Sequence, residues 1–334
     1  MATAVDHLTE RPLTLGDAAQ IVEINAEMEL AEPADEHLSV DDIVEELAGP
    51  TTDLPRASCG LFDGHRLVAY STVSAISDET GWKAMLNGGV SSAWTRRGLG
   101  TRVLRRAQEQ AKAWKAAAAP TVPGELLMWL EQHRVSTVAL AQAEGFQIWR
   151  YFFRMQRDLA DPVDTPAAPT GFAIRGYLDG DQEVVRVARN LSFADHWGSL
   201  ESTPERWHAH MTGSKSFRPQ HSYLAIFDDG PDAGSVAAFV MAEEFDAETD
   251  AHGYRTGYIA LVGTLRAARG HGLASMLLRR QLTSMRDDGY AYAELGVDSD
   301  SPTGAGRLYQ RAGFFELERN SVAGKRFGPD PIGG

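Results

Sequence analysis

Apolar residues along this chain switch between helical and strand spacing, and the order of the switches occurs twice. Residues 17–30 place Ala18, Ile21, Ile24 and Met28 on one helical face, and 40–47 continues the helical pattern after an acidic loop. Two apolar runs, 57–62 and 67–73, flank Asp63-Gly64-His65 and predict a hairpin. A short strand is predicted over 85–91. A helix over 101–118, rich in Ala, Arg, Gln and Lys, is stopped by Pro120 and by Pro123-Gly124. A strand over 125–130, a helix over 136–144 closed by Gly145, and an aromatic strand over 146–155 complete the first series.

After three prolines in 161–171 the series restarts. Strand 172–175 and helices 180–194 and 204–211 lead to strands 222–227 and 235–241 around Asp228-Asp229-Gly230. Strand 257–265, a helix running to 288, strand 291–297, a helix over 303–312 closed by Gly313 and a final strand from 314 follow. The glycines mark the repeat. Gly98 and Gly272 are 174 positions apart, as are Gly89 and Gly263, and Gly145 and Gly313 are 168 apart. The pattern predicts an α+β fold made of two copies of one domain. Each copy is a mixed, mostly antiparallel twisted sheet flanked by helices. The expected boundaries are 1–160 and 172–334, with 161–171 as the linker.

Composition narrows the chemistry. The chain has 334 residues and 43% hydrophobic content, enough for two cores. A net charge of −14 argues against a nucleic-acid-binding surface. The single cysteine, Cys59, permits no internal disulfide and sits in an apolar run, as a buried small residue would. No run is long enough to span a membrane, and the first residues lack a secretory pattern, so a cytoplasmic location is expected. The ten histidines show no metal-ligand spacing, and no metal is expected.

The chemistry concentrates at Arg269-Gly270-His271-Gly272-Leu273-Ala274, between an apolar strand and a helix. The first amides of a helix have no intrahelical acceptors and carry the positive end of its dipole. Glycines there let the backbone approach a ligand, and the result is a phosphate cradle. Downstream stand Leu295-Gly-Val-Asp-Ser-Asp-Ser-Pro-Thr-Gly-Ala305 and Leu308-Tyr309-Gln-Arg-Ala-Gly-Phe314.

Together these segments resemble the cradle and the following strand and helix of the GCN5-related N-acetyltransferase (GNAT) family, and the layout resembles its tandem members. Leu191-Ser-Phe-Ala-Asp-His-Trp-Gly198 is similar to the substrate-side helix and loop of such tandem proteins. The resemblance implies acetyl-CoA as co-substrate and a small-molecule amine as acceptor. Leu261, Val262, Gly263, Thr264 and Leu265 would bind the pantetheine and the thioester carbonyl through backbone amides. A bulge in that strand would free those amides. Arg269, Gly270, His271, Gly272, Leu273, Ala274 and Ser275 would hold the pyrophosphate. Tyr309 corresponds to the tyrosine that protonates the departing thiolate.

The general base stays open among Glu243 and Glu244, of which strand alternation points one inward, and Asp195 and His196. Some tandem relatives acetylate the cysteinyl amine of a glucosaminyl-inositol conjugate, and they carry a glutamate where this chain has Tyr258. Ser301 stands where the family usually has asparagine. In the first copy the cradle reads Thr95-Arg96-Arg97-Gly98-Leu99-Gly100, and Ala141 takes the Tyr309 position. That copy is expected to be non-catalytic, with Val90, Arg96, Arg97, Gly98, Leu99, Gly100 and Thr101 as a weaker coenzyme A site. Two further readings are that specific conjugate acetylation and a non-catalytic acyl-CoA sensor or scaffold. The oligomeric state is left open.

Overall fold

The structure is a computed structural model that describes residues 5, 7–33, 37–164, 166–301 and 304–328. Two compact units emerge. One takes in the chain through Tyr151 together with Asn320 onward, and the other runs from Phe152 to Arg319.

The chain first lays down β1 (Thr9–Arg11), α1 (Ala18–Ala31), α2 (Val40–Ala48), α3 (Leu54–Ala57), β2 (Ser58–Asp63), β3 (Arg66–Ser77) and β4 (Trp82–Val90). It continues with α4 (Leu99–Ala118), β5 (Gly124–Glu131), α5 (Val135–Ala143) and β6 (Gln147–Asp158). Then come β7 (Phe172–Gly176), α6 (Gln182–Phe193), α7 (Pro204–Trp207), β8 (Tyr223–Phe227), β9 (Val236–Glu243) and α8 (Asp246–His252). The last elements are β10 (Thr256–Thr264), α9 (Leu273–Asp287), β11 (Tyr292–Asp298), α10 (Ala305–Arg311) and β12 (Phe315–Phe327). The sequence pattern misses α8, whose start is acidic with Asp246 and Glu248, as a helix N-terminus favours.

The sheet of the first unit runs β1-β2-β3-β4-β5-β12, and that of the second runs β7-β8-β9-β10-β11-β6. In each, one pair is parallel, β4 with β5 and β10 with β11. The repeat is therefore real, and its final strands are exchanged. β5 pairs with 320–327, from Asn320 opposite Glu131 to Phe327 opposite Gly124. β11 pairs with 152–158, from Asp298 opposite Phe152 to Tyr292 opposite Asp158. The linear division at 160 and 172 is corrected accordingly. Either aromatic final strand can satisfy an open sheet edge, and local patterning does not record which edge it meets. In the first unit the choice is fixed by packing. The Phe327 ring lies over Gly124, where an added Cβ would come within 2.6 Å, and meets Trp82 edge-on at 6.0 Å.

The proline-rich stretch lies inside the second unit, between β6 and β7. It has no helix or strand among its described residues. Val163 packs against the core beside α9 and β11, and Arg279 Nη1 donates to the Asp164 carbonyl at 3.1 Å. The core of that unit lies on both sheet faces, with Leu278, Leu282 and Met285 of α9 on one and Val185 and Ala188 of α6 on the other. Cys59 is buried as expected, and burial pushes its thiol up to about 12.

Candidate active site

Two strands that start as neighbours and then part create the site. β10 pairs with β11 only from Thr256 to Tyr258, opposite Tyr292 to Glu294. On its other side β10 stays paired with β9 out to Thr264, with a bulge at Ala260 where the register shifts between Ile259 and Leu261. Beyond Tyr258 the β11-facing edge of β10 therefore opens into a cleft of about 980 Å³, lined by 259–264 on one side and Gly296, Val297 and Asp298 on the other. Alternate amides of 259–264 point away from β9 and into this opening.

The cradle closes one end of the cleft. Gly270 and Gly272 have φ of 86° and 76°, left-handed values that glycine adopts without strain. Gly272 caps α9, and the first helical amide with an intrahelical acceptor is that of Met276, bonded to the Gly272 carbonyl at 3.0 Å. The amides of Leu273, Ala274 and Ser275 are thus left without intrahelical acceptors, at the positive end of a 15-residue helix. All three residues line the cleft, with Arg269 beside them and Arg311 also on the wall.

Tyr309 lines the same cleft and is 8% exposed. It sits on α10, whose end is fixed by Phe314 N donating to the Tyr309 carbonyl at 3.0 Å and by Gly313 at φ 87°. Burial, with Tyr258 nearby as a lesser cause, raises its phenol well above the ordinary value. The group stays protonated and can only donate its proton to a stronger base. Tyr258 stands opposite Glu243 in the β9–β10 ladder and opposite Glu294 in the β10–β11 ladder. Burial first, then these two carboxylates, push its phenol up to about 12.

The two candidate bases separate sharply. Glu243 is pushed up to about 7 by burial, with the Ser216 hydroxyl at 3.3 Å and Arg218 offsetting only part of that. Glu244 points the other way. Burial works to raise it, but Arg255, the Tyr290 hydroxyl at 2.6 Å and Arg218 Nε at 2.8 Å outweigh burial and hold it down at about 2. A carboxylate saturated by two guanidiniums and a phenol has no lone pair to offer an amine. Glu244 is therefore corrected from candidate base to structural anchor.

The sequence model of the Acetyltransferase (GNAT) family matches residues 188–314, which span this cleft, its cradle and Tyr309. The second unit carries an acetyltransferase domain of the GNAT family. The chain is 28% identical over 258 residues to a mycothiol acetyltransferase of Salinispora arenicola (strain CNS-205), covering 76% of this chain and 80% of that one. Among solved structures, a GCN5-related N-acetyltransferase from Sphaerobacter thermophilus aligns with a TM-score of 0.73 at 25% identity over 97% of both chains. A tandem GNAT protein from the clavulanic acid biosynthesis pathway aligns with a TM-score of 0.73 at 18% identity, over 97% of this chain and 100% of that one. The protein is an acyltransferase of the N-acetyltransferase class, whose family uses acetyl-CoA as donor.

Most of the predicted donor-site residues of the acetyltransferase domain do line its cleft, including Leu261, Val262, Gly263, Thr264, Arg269, Gly270, Gly272, Leu273, Ala274 and Ser275. Two do not. The Leu265 amide donates to the Ala237 carbonyl at 2.9 Å and is not free for a ligand. The His271 ring turns away to pack on Phe172, 5.3 Å between centroids. Sequence reasoning missed Arg189, which lines the cleft from α6; Ser192, Phe193 and His196, within the segment expected on the substrate side, line it as well. The i, i+3, i+4, i+7 spacing of these four residues marks one helical face, a signal present in the sequence that extends the expected segment back to Arg189. His196 packs on Phe193 at 4.6 Å; burial lowers its pKa, opposed by Asp298 and assisted by Arg269 and Arg189. Asp195 is tied to Arg266 at 2.8 Å on the surface.

The first unit repeats the notch without its chemistry. β4 pairs with β5 only from Trp82 to Met85, and a cleft of about 800 Å³ opens beyond, lined by Val90, Arg96, Gly98, Leu99, Gly100 and Thr101. Arg97 is not on that wall; its Nη2 donates to the Ala93 carbonyl at 3.0 Å and it stacks on Trp94. Ala141 takes the Tyr309 place in matching geometry, with Phe146 N donating to its carbonyl at 2.9 Å and Gly145 at φ 81°. Among the described residues no group of His, Cys, Asp or Glu could hold a metal, and no helix is long and apolar enough to cross a membrane.

Proposed function

We propose that the second unit transfers the acetyl group of acetyl-CoA directly to the primary amine of a small molecule. The observation that carries this reading is the convergence on one cleft of three groups: the parted β10 edge, the cradle at the start of α9, and the buried Tyr309. The amides of 270–275 hold the pyrophosphate, and the free edge of 259–264 holds the pantetheine and the thioester. An amide on that edge donates to the carbonyl oxygen as it gains charge. The amine nitrogen attacks the thioester carbon, the C–S bond breaks, and Tyr309 gives its proton to the leaving sulfur.

Glu243 accepts the proton that the amine loses, through the neighbouring Tyr258 hydroxyl. A carboxylate near 7 is poised for that task at neutral pH. The first unit, with Ala141 in place of the tyrosine, binds coenzyme A in its own notch without turnover. A thiol-release assay with acetyl-CoA and a panel of amines tests the reading. Release that depends on the amine supports it, and unchanged release in Tyr309→Phe removes the acid assignment. Coenzyme A binding with no release for any amine favours a sensor instead. The relatives' names favour a second reading, with the mycothiol precursor amine as acceptor. Tyr258, standing where the resemblance to that reaction leads one to expect a glutamate, counts against it.

A further inference from the structure

Arg189 is half-buried on α6 and lines the cleft, with its guanidinium over the Phe193 ring at 5.4 Å and no carboxylate partner. Its Nη1 donates to the Leu200 carbonyl at 2.7 Å and to Asn190 Oδ1 at 3.2 Å, both neutral acceptors. Among the described residues no carboxylate comes within ion-pair distance of it. The charged group that perturbs it is another cation, Arg206, and burial with that repulsion lowers its pKa.

Several other partly buried arginines of the same unit meet a carboxylate, and Arg157 and Arg279, which rest on backbone carbonyls instead, do not line the cleft. Arg175 meets Asp181 at 2.5 Å, Arg186 meets Glu183 at 2.6 Å, and Arg154 meets Glu294 at 2.7 Å. Arg218 and Arg255 share Glu244 at 2.8 and 2.7 Å. Among these partly buried arginines, Arg189 is the one that lines the cleft, and it does so without a carboxylate. A desolvated cation without an anion is costly, and an arriving oxyanion relieves that cost with charge-assisted hydrogen bonds. Two oxyanions could enter this cleft: a phosphate of the acyl donor or a carboxylate of the acceptor. The donor's phosphates already have the free amides of Leu273 to Ser275 with Arg269 beside them, whereas Arg189 stands on α6 with Phe193 and His196.

Resting on the acetyltransferase reading above, we propose that Arg189 receives a carboxylate of the acceptor. The substrate class is then a small molecule that carries both a primary amine and a carboxylate, an amino acid or a close derivative. The test compares matched pairs, each amino acid against its carboxamide and its decarboxylated amine, by thiol release with acetyl-CoA. The wild type is expected to prefer the carboxylate member by about 10- to 100-fold in kcat/KM, the range of a hydrogen bond to a charged group. Arg189→Gln should bring that ratio to within about threefold, Arg189→Lys should keep part of it, and KM for acetyl-CoA should move less than twofold. Equal or reversed preference in the wild type overturns the proposal, with no variant required. So does a loss in Arg189→Gln that appears as a raised KM for acetyl-CoA, which would assign the guanidinium to the donor's phosphates. If no compound supports release, thermal shifts with coenzyme A present decide separately. Stabilisation by amino acids but not by their carboxamides, lost in Arg189→Gln, keeps the carboxylate site while the transferase reading fails; no stabilisation removes both.

Discussion

Gly272 and Gly98 cap the cradle helices of the two units with φ of 76° and 79°, and two positions earlier Gly270 and Arg96 both turn left-handed, at 86° and 60°. The helix that follows each parallel strand ends the same way, in a residue whose carbonyl accepts from the amide five positions on, Tyr309 in one unit and Ala141 in the other. Backbone and side chain have thus diverged at different rates between the notches. The shape that admits a phosphate and an extended thioester persists in both. The phenol proposed as proton donor exists in one. Shape alone therefore fixes what can bind, and a few side chains at fixed backbone positions decide whether anything reacts.

Removing the donor should produce the largest effect. Tyr309→Phe keeps the ring contact with Phe314 and deletes one hydroxyl, so the fold should hold while kcat falls by about 100- to 1000-fold, within the range for a general acid. Steady-state thiol release measures this. Restoration of rate with acceptor–donor pairs that have a better leaving thiol would sharpen the assignment, because such a thiolate needs no proton.

Glu243 ranks next and carries a pH signature. As the base it must be deprotonated, so kcat/KM should rise with pH through about 7 and level above it. Glu243→Gln should lower kcat/KM by about 10- to 100-fold at pH 8 and flatten that limb. The stability consequence has a definite sign. Its folded pKa is raised above the ordinary 4.5, so ionisation is disfavoured in the folded state. Its contribution to stability is full below the unfolded pKa and is lost as pH rises through about 7. Glu243→Gln should therefore be more stable than the wild type at pH 8, by about 2 kcal/mol, with little difference at pH 4. Thermal melts at the two pH values check this. An equal change at both would mean that the carboxylate is not desolvated.

Much of this was legible before any coordinates. Helix and strand order, the repeat and the cradle follow from periodicity and from glycines whose left-handed geometry only a few positions require, while Tyr309 was singled out by the family resemblance. The exchange of β6 and β12 was not legible. Both are long strands that follow a short helix, and which sheet edge each meets is decided by non-local contacts such as Phe327 on Gly124 and Trp82. The split between Glu243 and Glu244 was half legible. Alternation set the two on opposite faces, but that Glu244 is the one locked in ion pairs depends on Arg218, Arg255 and Tyr290, which lie 26, 11 and 46 residues away in sequence from it. Arg189 was missed for a related reason. An arginine on an amphipathic helix reads as solvated until the absence of a carboxylate around it can be seen.

Gly272→Ala tests the shared backbone itself. Nothing lies within 4 Å of an added Cβ, so the cost comes from φ alone and should be about 1–2 kcal/mol of stability, with a severalfold rise in KM for acetyl-CoA as the α9 amides shift. Gly98→Ala, with the same open surroundings, should cost similar stability and leave KM unchanged if turnover belongs to the second unit. A rise in KM from the first-unit change would instead couple the two notches functionally.

The smallest expected effect is the most discriminating for the first unit. Arg96 holds φ at 60°, a conformation that costs a residue with a Cβ about 1–2 kcal/mol. Arg96→Gly relieves that strain but makes the unfolded chain more flexible, which offsets about 0.4–1 kcal/mol of the gain. The net should be a stabilisation of about 0.5 kcal/mol without ligand, a rise in Tm of about 1–2 °C by calorimetry. Strain of this kind persists where the surrounding structure or a ligand holds it, and Arg96 lies on the wall of the first cleft. If its guanidinium meets a phosphate of coenzyme A there, the sign should reverse in saturating coenzyme A, with the glycine variant melting below the wild type. A glycine variant that stays more stable with ligand present would mean that the first notch kept its shape without keeping its ligand.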